Sequence, residues 1–167
     1  MRFYLVDRIL KLEPGKRIVA IKNLSLAEEY LADHFPAYPV LPGVMMLEAL
    51  VQAAAWLVRS STDFAKTLLL LKDTQNVRYG NFLRPGGQMV MEVEALEIGP
   101  DASRFKAQAR WDGQMCVQAR FTLEHLNVAD EDPGRAELDE PLREHLRQQF
   151  RLVGGPQALE AARAGSA

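Results

Sequence analysis

HFPAYPVLPGVMMLEALVQAAAWLVR, residues 34–59, contains two conformations that cannot form one element. Pro36, Pro39 and Pro42 fall at steps of three. Each fixes φ and lacks an N–H, so the first half is neither helix nor central strand but an ordered, extended loop. Pro42-Gly43 closes that loop, and residues 44–58 carry neither glycine nor proline among good helix formers, which predicts a helix. The helix is apolar almost all the way round, so it must be buried on nearly every side. Two polar residues interrupt it, Glu48 and Gln52, four apart and therefore on one face. A carboxylate on a buried helix is costly unless neutralised or partnered, which makes Glu48 the residue to explain.

Upstream, residues 3–12, the turn Glu13-Pro14-Gly15-Lys16 and the β-branched run RIVAIKN (17–23) predict an antiparallel hairpin. Ser25 followed by Glu28 has capping-box spacing and predicts a short helix over 26–32. Downstream, TLLLLKD and TQNVRYGNFL switch to an extended period, Pro85-Gly86-Gly87 turns the chain, and QMVMEVEALEI (88–98) reads as a strand. In the last hairpin Phe105, Ala107, Ala109 and Trp111 alternate with polar residues. Asp112-Gly113 supplies the turn, and Met115, Val117, Ala119 and Phe121 alternate again. One face is core and the other polar, as in an antiparallel sheet packed on one side. The prediction is an α+β fold, one antiparallel sheet around one long apolar helix, over residues 1–126. One sheet covers only part of such a helix, so a second copy of the chain is expected to cover the rest. Residues 127–167 form an acidic C-terminal extension: a linker over 127–140, one amphipathic helix over 141–152 and a loose end from Gly154.

The bulk numbers remove several classes of function. With 48% hydrophobic residues in 167, the chain can build one real core. A net charge of −2 is no nucleic-acid footprint. The imbalance is in the extension, where 5 Lys and Arg face 8 Asp and Glu, against 15 and 14 over residues 1–126. Cys116 is the only cysteine, which excludes an internal disulfide and a cysteine metal cluster. The apolar runs are too short to span a bilayer and no signal segment opens the chain, so a cytoplasmic location is expected. Phosphate-binding loops, the GxGxxG and GxSxG motifs and metal-spaced His/Asp clusters are absent, and no cofactor is called for.

Of the three histidines, His125 and His145 read as surface residues, whereas His34 opens the proline loop. Alone, His34 would read as a capped loop histidine; Glu48 changes that. An imidazole titrates near neutral pH, and burial raises a carboxyl pKa so that it can carry a proton. Between them, the Pro42-Gly43 helix start presents free N–H groups that can stabilise charge developing on a carbonyl oxygen. Base, acid and oxyanion donor together suit proton removal α to a carbonyl coupled to loss of a β-substituent.

These residues also resemble a known family. HFPAYPVLPGVMMLEALVQA is similar to the signature HFPxxPVxPGVLxxEAxAQ of the hot-dog-fold 3-hydroxyacyl-[acyl-carrier-protein] dehydratases of the FabZ type. FYLVDRILKLEPGKRIVAIKNLS resembles the family's opening hairpin and NVRYGNFLRPGGQMVMEVE its ARFRxPVxPGDxLxxEVE segment, so the resemblance spans residues 3–125. It implies that His34 is the catalytic histidine and Glu48 the catalytic carboxylate, meeting across a dimer interface. It further implies that Gly43 offers its N–H to the thioester carbonyl, Val40 holds the imidazole through its C=O, and Gln52 orients Glu48.

The implied substrate is a 3-hydroxyacyl phosphopantetheine on acyl carrier protein, and the implied assembly a homodimer, alone or in a trimer of dimers. Carrier proteins are acidic, so Arg78, Arg84 and Arg104 are the docking candidates. The chain departs from the family pattern at Asp33 and Ala37, where glycines are usual. It departs again at Tyr79-Gly80-Asn81, where Phe-Arg-Arg or Phe-Arg-Lys is common, and at Gly87, which replaces an aspartate. Two alternatives stand beside dehydration: a hot-dog thioesterase in which Glu48 activates water, and a non-catalytic subunit that binds acyl thioesters or carrier protein.

Overall fold

The computed structural model describes residues 3–164. Six antiparallel strands form one sheet: β1 (Arg8–Glu13), β2 (Arg17–Asn23), β3 (Leu68–Tyr79), β4 (Gln88–Ile98), β5 (Ala102–Trp111) and β6 (Gln114–Leu126). Their order is β1-β2-β4-β5-β6-β3, so β3 follows the long helix in sequence yet lies at an edge, paired to the last strand. The helix α1 (Gly43–Ser61) packs on the inner face. This is the expected α+β hot-dog arrangement. The alternation read from the last hairpin holds in register: Ile18, Val93, Ala107 and Ala119 lie side by side on adjacent strands and are all buried. Their outward neighbours Arg17, Glu94, Lys106 and Arg120 form an exposed charged row. Asp112 and Gly113 both take positive φ (51° and 73°), the backbone that a two-residue turn between right-twisted strands requires.

Helix α1 is buried along most of its length but not all round. Met46, Ala49, Leu50 and the run from Ala53 to Val58 are in the core, whereas Val44 is 70% exposed and Glu48 and Gln52 are half-buried. In one copy of the chain, the side of the helix that carries the carboxylate stays open near its N-terminus.

Three local expectations change. The capping box at Ser25 and Glu28 does not form, and in place of a helix over 26–32 there is one short 3-10 turn, Glu29–Leu31. Glu28 turns instead to the buried ammonium of Lys22 (2.7 Å), a stronger partner than a backbone N–H. His125 is not a surface residue. It is 2% exposed on β6, inside the sheet with Leu123 and Phe121. Burial lowers its pKa from the ordinary imidazole value, and Lys66 lowers it further, against opposing contributions from the Pro100 carbonyl and Asp101.

Nor is the C-terminal end loose as far as it is described. A short helix α2 (Val128–Glu131) and a 3-10 segment (Pro133–Leu138) lead into α3 (Asp139–Leu152) and α4 (Gly155–Ala164). Asp139 ties the segment down by accepting from the Thr67 hydroxyl and from the Val128 and Ala129 N–H groups. Phe150 on α3 enters the core against Trp56 and Phe64, with ring centroids 5.7 and 5.6 Å away. Helix α4 packs on β1. The expected loose end over 165–167 lies outside the described residues.

Candidate active site

Two turns hold His34. Its N–H donates to the Tyr30 carbonyl (3.2 Å), and the Tyr38 N–H donates to the Phe35 carbonyl (2.8 Å). Pro36 in the second position of that turn is pre-set for it. Phe35 takes φ 51°, a left-handed conformation that costs a bulky residue about 1–3 kcal/mol and here reverses the chain directly after the histidine. The Phe35 ring stays 60% exposed and lies against the half-buried imidazole at 4.5 Å between centroids. Among the described residues no hydrogen bond joins the imidazole to Val40. Val40 itself is buried, and the next residue pins the loop: the Leu41 N–H donates to the Leu83 carbonyl (2.9 Å).

At the start of α1 the Pro42 carbonyl accepts from both Met45 (2.9 Å) and Met46 (3.1 Å). The N–H groups of Gly43 and Val44 precede any intrahelical acceptor and are the free donors of a helix N-terminus. One turn on, Glu48 is held by Gln52, whose amide nitrogen donates to Glu48 Oε1 (3.0 Å). The same nitrogen donates to the Phe3 carbonyl (3.0 Å), and the amide oxygen accepts from the Leu5 N–H (2.9 Å). Gln52 therefore fastens the segment ahead of β1 across the helix and fixes one carboxylate oxygen.

The three candidate docking arginines do not share a surface. Arg84 stacks over Tyr38 of the histidine loop at 4.9 Å. Arg78 pairs in register with Gln118 and faces the outer side of the sheet, away from α1. Arg104 is about 17 Å along β5 from Ala109, which is in register with Val117 of β6 and, through it, with the end of β3. Its guanidinium is taken up by Glu97 (2.6 Å).

One residue at this end carried no role in the sequence reading. Tyr79, the last residue of β3, packs its ring on Gly43: a Cβ there would lie 3.2 Å from both Cδ1 and Cε1 of the ring. The contact joins residues 36 apart. The one hint of it was the departure from the family pattern at Tyr79-Gly80-Asn81.

A family model described as a FabA-like domain matches residues 1–120. The chain is 39% identical over 130 residues to the FabZ 3-hydroxyacyl-[acyl-carrier-protein] dehydratase of Albidiferax ferrireducens, covering 76% of this chain and 87% of that one. To the enzyme of the same name from Symbiobacterium thermophilum it is 35% identical over 133 residues, covering 80% and 94%. Among solved structures, the dehydratase heterocomplex ApeI:P from Xenorhabdus doucetiae superposes with a TM-score of 0.63 at 17% identity, over 75% of this chain and 85% of that one, a likeness of fold. The chain belongs to the FabA-like domain family and, within it, to the FabZ-type 3-hydroxyacyl-[acyl-carrier-protein] dehydratases. No described helix is long and apolar enough to cross a membrane.

Proposed function

We propose that the chain dehydrates a 3-hydroxyacyl thioester carried on acyl carrier protein to the trans-2-enoyl thioester, reversibly, in fatty-acid synthesis in the cytoplasm. His34 takes the C2 proton. The electron pair of that C–H bond becomes the C2–C3 double bond as the C3–O bond breaks, and the hydroxyl leaves as water with the proton of Glu48. The Gly43 N–H stabilises the negative charge that passes through the thioester oxygen. The Val40 carbonyl orients the imidazole once substrate and a second copy complete the site, and Gln52 orients Glu48.

The observation that supports this reading most directly is the state of Glu48. It is the only acidic residue on α1, one oxygen is fixed by Gln52, and the carboxylate lies one turn from free helix N–H donors. Its half-exposed side stays uncovered in one copy of the chain. A homodimer supplies the cover, with His34 of one copy facing Glu48 of the other. The unpaired edge of β3, with Leu70 and Leu71 exposed, and the exposed Phe35, Tyr38, Val44 and Phe82 support an association of that kind. Arg84, beside the histidine loop, is the arginine best placed to receive the acidic carrier protein.

The test follows loss of enoyl absorbance when crotonyl thioester, on carrier protein or coenzyme A, is hydrated, with thiol release measured in parallel and His34→Ala as control. Hydration that disappears in the variant is the expected result. Thiol release without hydration would establish the thioesterase, and binding without turnover the non-catalytic subunit.

A further inference from the structure

We propose that Tyr79 is a positioning residue of this site: its ring seals one side of the α1 N-terminus, so that a thioester carbonyl reaches the Gly43 N–H from the open side only. The inference rests on the dehydratase reading and adds to it a residue that the reading does not use.

Gly43 has ordinary backbone, not the positive φ found at Gly15, Gly86, Gly113 and Gly154. Glycine is therefore present here for space and not for conformational freedom. What takes the space is the Tyr79 ring, two of whose carbons would stand 3.2 Å from an added Cβ. That is tighter than an ordinary side-chain contact, so the ring lies flush on the first residue of the helix.

The ring is also held. Directly after it, the Gly80 N–H donates to the Cys116 carbonyl (2.8 Å) and the Asn81 N–H to the Met115 carbonyl (2.9 Å). Any Cβ at Gly80 would come within 2.3 Å of the Met115 oxygen, so this close backbone approach needs glycine and fixes where β3 ends. Tyr79 pairs with Val117, a buried residue, which places its side chain on the helix side of the sheet. The residue remains 48% exposed, so it borders the space in front of the helix and is not part of the sealed core.

A flat, apolar ring on the side-chain side of the residue that carries the donor does two things. It keeps water from competing for the N–H, which strengthens the hydrogen bond made when charge develops on the carbonyl oxygen. It also restricts the approach of the thioester, which favours the geometry in which C2–H faces the base. Neither effect needs the phenol hydroxyl.

The experiment uses the full chain and crotonyl-coenzyme A, beginning with wild-type hydration; absence of turnover there is a failure of the dehydratase reading and not of this inference. Tyr79→Phe is expected to stay within about twofold of wild type. Tyr79→Ala is expected to lose about 10–100-fold in kcat with KM nearly unchanged, the mark of an interaction made in the transition state. Thermal midpoint and sedimentation check that the variant is folded, and Tyr79→Leu replaces it if it is not. In difference infrared spectra the carbonyl band of bound crotonyl thioester should shift back toward its free position in Tyr79→Ala.

Gly43→Ala should be impaired in the wild-type background and cost nothing further in Tyr79→Ala, because the added methyl then has room. The inference is overturned if Tyr79→Ala keeps wild-type kcat and carbonyl band. It is equally overturned if the Gly43→Ala and Tyr79→Ala effects simply multiply.

Discussion

Replacing Glu48 by Gln keeps the side chain's shape but removes the proton that leaves with the hydroxyl. Hydration of crotonyl thioester should therefore fall by about 10²–10⁴-fold with the thermal midpoint nearly unchanged, and wild-type activity would remove Glu48 from the mechanism. Gln52→Ala acts differently. It leaves the Leu5 N–H and the Phe3 carbonyl without their partner and frees Glu48. A loss of about 1–3 kcal/mol in denaturant unfolding should accompany the loss of activity. At this scale His34 and Glu48 were legible because each breaks a local pattern, an imidazole before a proline loop and a carboxylate on an apolar helix. His125 was misread although the signal was present: it shares the parity of Val117, Ala119, Phe121 and Leu123, all buried. Its residue type points to the surface while its position in the alternation points inward, and the position wins. Tyr79 gave no comparable signal, since its partner is 36 positions away.

Strand β6 carries one source of pH dependence, the buried His125. The folded-state pKa of His125 lies below its ordinary value because the imidazole is buried. As pH falls from about 7 toward 5, the unfolded chain takes up the proton first, so stability drops; above the ordinary imidazole pKa of about 6.5 the contribution is fully present. His125→Phe should flatten that part of the stability–pH curve measured by denaturant unfolding, and an unchanged slope would place the acid sensitivity elsewhere. Helix α3 is tested by Phe150→Ala, which empties the space between Trp56 and Phe64 and should cost about 3 kcal/mol. Helices α1 and α3 were legible from period and composition. The 26–32 helix was not, because its capping carboxylate found a buried lysine instead of the backbone. Helix α4 was missed because its docking on β1 outweighs the loose, small-residue character of its sequence.

For the whole molecule, β3 leaves one edge of the sheet unpaired, with Leu70 and Leu71 exposed at the end of the strand away from Tyr79, and the start of α1 is exposed at Val44. Sedimentation should return at least twice the 18.7 kDa of one chain. Leu70→Lys with Leu71→Lys on the β3 edge should shift the mass toward one chain and remove hydration in parallel. A monomer with full activity would show that one copy builds the whole site.

The amino-acid sequence alone determined the strands, the helices α1 and α3 and the alternation of the last hairpin from Phe105 to Phe121, and it singled out His34 and Glu48, the two residues proposed to carry the chemistry. All of these depend on periods and residue types within a few positions of each other, where propensity and alternation act directly. Tertiary structure decided the strand order that puts β3 at an edge, the burial of His125, the docking of the C-terminal helices, the clamp of Gln52 on the N-terminal segment and the ring of Tyr79 on Gly43. Each of these pairs groups that are distant along the chain. Such a pairing is stabilised by surface removed from water and by hydrogen bonds that exist only once the chain has folded, and no local pattern encodes it.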